Sequence, residues 1–267
     1  MILASHPLLE TALGIAAMLV YMLVAAFASR LPRRVIQTLL GLAWLLQALT
    51  LGCGLTQGQP HFGFGPALSL TVWLALLVYG VENFLYPGLV IRPILALLGA
   101  VAVLLALVFP GPPLYTLTSP WLPLHLALGI ASYGLFAVAV VHAGLLGRAE
   151  RQIRHACDLS VPMGMPLLTL ERLTFRFVSA GFVLLSATLL AGLLFSETLS
   201  PNGWRWDHKT VFSILAWVTF AVLLAGRARF GWRGRSATHI LYAGALLLLL
   251  AYAGSRFVLE VVLHRAV

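Results

Sequence analysis

Eight runs of predominantly apolar residues, most of them close to 20 long, take up most of this chain and leave little between them. They fall at roughly 8–28, 36–55, 66–85, 93–109, 122–146, 174–195, 210–226 and 237–263. A run of that length crosses a hydrocarbon layer of about 30 Å as an α-helix, the one open-ended structure that satisfies its own backbone polar groups there. Only 9% of the 267 residues are charged, against about 25% in a soluble domain. The longest connections, near 147–173 and 196–209, have no room for a folded soluble domain. The expectation is an all-α, polytopic membrane helical bundle of eight transmembrane helices, with residues 1–267 forming one integral membrane domain.

The net charge of +9 suggests nucleic acid until the charges are placed. Arg30, Arg33 and Arg34 follow the first run, and Arg92 separates the third from the fourth. Arg148, Arg151, Arg154, Arg172 and Arg176 lie between or beside the fifth and sixth. Arg227, Arg229, Arg233 and Arg235 separate the seventh and eighth. These 13 of the 17 basic residues fall in alternate connections, the pattern that marks cytoplasmic loops. Both termini are then expected outside. The basicity is an orientation signal, and the partner it implies is the lipid bilayer, with no nucleic acid. The first run carries Glu10 at its start and is followed by three arginines, the layout of a retained anchor rather than a signal peptide.

Cys53 and Cys157 fall on opposite sides and form no CxxC, so thiol exchange by this chain is not expected. No hydrolase triad and no phosphate loop are present, and no catalytic residue is assigned. A small transporter is the weakest of the readings considered, because neither an inverted repeat nor a pair of broken helices is visible. Glu82, near the inner end of the third run, and Arg256 with Glu260 on the eighth are the charges at membrane depth. His142 lies 17 residues beyond His125 on the fifth run, about 25 Å away along a helix, and reads as a hydrogen-bonded residue of the bundle.

The outer side carries the chemistry. In Trp204-Arg205-Trp206-Asp207-His208-Lys209, two indoles stand beside a carboxylate and two cations between two apolar spans. His125 opens the fifth span and His264 closes the eighth, both at about the depth of this loop. Each histidine alone reads as an interfacial side chain reaching water, and the tryptophans alone as an aromatic belt. Together they make a flat apolar platform with two imidazoles, the arrangement that holds a haem iron axially. Arg205 and Lys209 would pair with the propionates. His208, next to the motif, is the reserve ligand.

From the fifth span onward the chain resembles the cytochrome c assembly protein family of haem-handling membrane proteins, the CcsA/CcmC type. The residues carrying the likeness are Leu173-Thr174-Phe175-Arg176, Gly181-Phe182, Leu185, Gly192, Trp204-x-Trp206-Asp207-x-Lys209, Trp217 and Arg233-Gly234. Those around Trp204 match the end of the family's external WWD signature. His125 and His264 fall where the family places its two external haem-ligating histidines. The upstream Trp-Gly of the full signature is absent, and its Pro, Glu, Thr and Trp are replaced here by His208, Thr210, Val211 and Phe212. With so short a loop, the chain is similar to the reduced, eight-span HemX/YpjD-like branch. The resemblance implies a multi-pass bacterial inner-membrane protein with periplasmic termini that presents haem externally, alongside another membrane protein of the same assembly pathway. The alternative is a non-catalytic accessory or regulatory subunit that has lost haem and serves tetrapyrrole synthesis or another membrane complex.

Overall fold

Long stretches rich in Leu, Ala, Val and Phe produce long helices, and the glycines within them let neighbouring helices and rings approach closely. The computed structural model describes residues 8–56, 61–85, 92–111, 121–154, 167–195, 208–254 and 257. Eight α-helices are found among them: α1 Leu8–Phe27, α2 Arg33–Thr56, α3 Phe64–Leu85, α4 Arg92–Val108, α5 Leu122–Arg154, α6 Leu167–Leu194, α7 His208–Phe230 and α8 Gly234–Leu249. A π-turn, Leu250–Gly254, continues α8. Seven of the eight are long and apolar enough to cross a membrane, and the stretch Pro93–Val108 of α4 is shorter. The protein is thus an all-α, polytopic membrane bundle.

Helix ends depart from the hydropathy boundaries in a consistent direction. Residues 147–154 and 167–173, expected in a connection, are helical. Hydropathy reports where the apolar layer ends, whereas Arg148-Ala149-Glu150-Arg151-Gln152 are good helix formers that carry α5 on beyond that layer. The eighth span, expected over 237–263, is described as a regular helix only to Leu249 before the π-turn.

The chain forms two compact units. The first holds residues 1–77, 90–116 and 256–267, the second residues 78–89 and 117–255. Helix α3 contributes its first part to the first unit and its end, from Val78, to the second.

In the first unit, Arg30 and Leu31 amides donate to the Phe27 carbonyl, and Pro32 precedes α2, so α1 and α2 fold back on each other through a tight turn. In lipid, helices associate through close backbone approach and hydrogen bonds, because the tails are as apolar as leucine. Both devices appear. Tyr21 donates to Gln47 Oε1 at 2.8 Å, and Gln47 Nε2 donates to the Ser69 carbonyl and hydroxyl at 3.0 and 2.9 Å, a fully buried chain across α1, α2 and α3. Trp44 and Trp73 stack at 4.6 Å, and each indole N–H donates to the other's backbone carbonyl. Gly99 of α4 lies against the Tyr21 ring, where a Cβ would come within 2.9 Å.

In the second unit, α5 and α6 run antiparallel in one register. Ser132 donates to the Gly181 carbonyl at 3.0 Å, Phe136 covers Gly181, and His142 packs on Phe177. Phe136 in turn stacks on Phe220 of α7, whose ring lies against Gly244 of α8. A glycine, two rings and a glycine therefore tie four helices together at the centre of the core. Glycine 231, at φ 64°, ends α7, and Trp232 folds its ring beneath Gly226, where a Cβ would come within 2.3 Å.

Candidate functional site

The two ends of α6 in the second unit differ in character. Glu171, in the second turn, accepts hydrogen bonds from Arg233 Nε and Nη2 at 2.8 and 3.0 Å and from Arg227 Nη1 at 2.8 Å. The Arg227 guanidinium also lies 3.5 Å from the Phe175 ring centroid. Gly192 lies 21 residues further on, about 31 Å along the helix, which matches the apolar thickness of a bilayer. The first end is an ion-pair clamp between helices. The second end is the candidate site.

It is built on His125, in the first turn of α5, whose backbone amide donates to the Trp121 carbonyl at 3.0 Å. Trp121 stacks on Phe195 at 4.4 Å, closing the α5–α6 pair at this end. The antiparallel register sets the imidazole over Gly192, where a Cβ would stand 3.3 Å from Cε1 and 3.9 Å from Nδ1. One turn along, Gly129 faces the Thr188 methyl group. The Thr188 backbone stands beside the ring. Nδ1 is buried and has no hydrogen-bond partner among the described residues. Nδ1 stands on the Gly192 side of the ring, and in the Nε2–H tautomer it presents a lone pair there. A packed imidazole with a buried ring nitrogen left without a partner among the described residues is a candidate metal ligand.

Cationic and phenolic groups surround it. Lys209, in the first turn of α7, acts electrostatically on His125 and sits 5.8 Å from the Tyr252 ring centroid. Tyr252 belongs to the π-turn and lies 6.1 Å from Tyr133 of α5. His208, the first residue of α7, is exposed. Lys209 in the first turn of the helix adds its charge to the positive end of the dipole, a field that favours an anion.

Of the residues singled out from sequence, the structure describes His125, His208 and Lys209, and it brings His125 and Lys209 into one neighbourhood. Trp204, Arg205, Trp206, Asp207 and His264 lie outside the described residues. The other tryptophans pack in the bundle. Trp217 donates to the Ser186 hydroxyl at 2.8 Å and stacks on Phe182, and Trp232 is wedged below Gly226. Sequence reasoning placed Gly192 only by its spacing and did not single out Thr188 or Tyr252. A glycine followed 12 residues later by Trp204 says nothing of an imidazole on the neighbouring helix.

The chain belongs to the cytochrome c assembly protein family, whose description matches residues 9–263. It is similar to inner membrane protein YpjD of Escherichia coli (strain K12), 31% identical over 202 residues, 74% of each chain. A 28.8 kDa protein of Azospirillum brasilense is 31% identical over 215 residues, 77% of this chain and 78% of that one. Cytochrome c biogenesis protein CcsA of Prochlorococcus marinus (strain NATL1A) is 30% identical over 85 residues, 32% of this chain and 27% of that protein. No solved structure matches the chain significantly.

Proposed function

We propose that this protein binds haem at the end of the second unit that carries His125 and offers it to a membrane partner in cytochrome c assembly. The observation that carries the reading is the state of His125: seated against a glycine, with a buried Nδ1 that has no hydrogen-bond partner among the described residues. The residues present fit an iron porphyrin on three counts. His125 supplies a neutral imidazole, Lys209 a cation for a propionate, and Tyr252 and Trp121 flat apolar area beside them. Trp204, Trp206, Asp207 and Arg205 would extend the platform, with His264 as the second ligand and His208 in reserve. Haem, when bound, supplies the redox-active iron and the vinyl groups a cytochrome needs. This chain's own part is to hold, orient and shield it, and no catalytic step is assigned to it.

The arginine-bearing connections face the cytoplasm in this reading, so the His125 end of the second unit and both termini face outward. The relatives named as inner membrane proteins support the same membrane for this chain. Purification in mild detergent, with and without added haem, tests the proposal: a Soret band that shifts in His125→Ala is expected. Protein that stays colourless after haem is supplied would overturn it and favour an accessory subunit without haem.

A further inference from the structure

Glu82 of α3 and His142 of α5 form a second polar centre in the second unit, independent of the haem reading. Glu82 Oε2 and His142 Nε2 are 3.0 Å apart. Glu82 is 5% exposed and His142 1%, so neither reaches water at the surface. Glu82 Oε1 and His142 Nδ1, the two outer atoms of the pair, are buried without a hydrogen-bond partner among the described residues. His142 lies six residues before Arg148, about 9 Å along α5 from the arginine-bearing end.

The surroundings are mostly apolar. From α6 the Phe177 ring faces the imidazole at 5.4 Å. On α3, Tyr79 lies one turn before Glu82, and Asn83 follows it. From α8 the Tyr242 hydroxyl reaches Gly144, and Arg148 and Glu150 lie further along α5. No group of three or more metal-binding side chains occurs among the described residues. Two protein ligands are too few to enclose a metal ion, and a proton needs no more than two.

We propose that Glu82 and His142 form a proton-binding and proton-passing site within the membrane. A carboxylate beside a neutral imidazole leaves one buried negative charge, which the apolar surroundings penalise. A proton arriving on Nδ1 makes an imidazolium and brings the net charge of the pair to zero. The Nε2 proton can then pass to Glu82 Oε2, leaving an imidazole protonated at Nδ1 and a neutral carboxylic acid; after the carboxyl group turns, loss of its proton restores the carboxylate, and return of the ring proton from Nδ1 to Nε2 resets the pair. One proton enters and one leaves, and the two unpartnered atoms are the entry and exit.

The test uses the full chain in nanodiscs and pH-difference infrared spectra between about pH 4 and pH 9. The wild type should show a carboxyl band and an imidazole band changing together in one step. Both should vanish in Glu82→Gln and in His142→Gln, amide side chains that keep hydrogen-bonding capacity, while thermal unfolding confirms that each variant is folded. No coupled step in the wild type, or an imidazole step unchanged in Glu82→Gln, would overturn the proposal. Proton release on replacing potassium with sodium at constant pH would also overturn it, by showing a metal-cation site in its place.

Discussion

Phe136 and Phe220 stack with ring centroids 3.9 Å apart and planes 11° from parallel, and each ring also lies against a glycine. The two glycines are not equivalent. A Cβ on Gly244 would stand 2.8 Å from the Phe220 ring, whereas one on Gly181 would stand 3.2 Å from that of Phe136. Gly244→Ala should therefore destabilise the second unit by about 1–3 kcal/mol through overpacking. Gly181→Ala should come out near neutral, because helix propensity returns about 1 kcal/mol. Unfolding in mixed micelles would rank the pair, and equal losses would refute the packing argument.

The clamp on Glu171 should divide unequally between its two arginines. Arg227 is mostly covered and lies over Phe175, so Arg227→Ala should cost about 1–2 kcal/mol. Arg233 is more exposed, and its share should fade as salt rises. Stability of the two variants at low and high ionic strength would show whether only the Arg233 effect is screened.

The reciprocal tryptophan pair of the first unit predicts coupling. Trp44→Phe and Trp73→Phe each remove one interhelical hydrogen bond, worth about 0.6–1.7 kcal/mol in a membrane bundle. Because both bonds need the same stacked geometry, the double variant should lose less than the two single losses combined, which a double-mutant cycle measures.

At the candidate site, Gly192→Ala should push the His125 imidazole off its seat without replacing any proposed ligand. Haem affinity should fall about 10-fold or more, the usual cost of disturbing the surroundings of a ligand. Titration with haem at the Soret wavelength is the measurement. Trp204→Ala with Trp206→Ala should also lower occupancy, with Phe230→Ala, exposed at the arginine-bearing end, as the aromatic control. Trp232 makes a poor control, since its ring fills the space under Gly226.

Apolar run length fixed the helices, because a membrane leaves the backbone no other way to bond itself, and the family followed from residues whose spacing survives in the linear chain. His125 and Lys209 were legible as candidates for the same reason: basic groups are rare in such a chain and stand out. Where those helices end was less legible, since the charged helix formers after Gly147 continue α5 beyond the apolar layer. The pairings were not legible at all. Glu82 and His142 are 60 positions apart, and Glu171 and Arg233 62. Hydropathy says how far a helix reaches into lipid but nothing of its rotation. Rotation and antiparallel register, set by which glycine meets which ring, decided that a lone acid has a histidine partner and that one histidine keeps a free nitrogen.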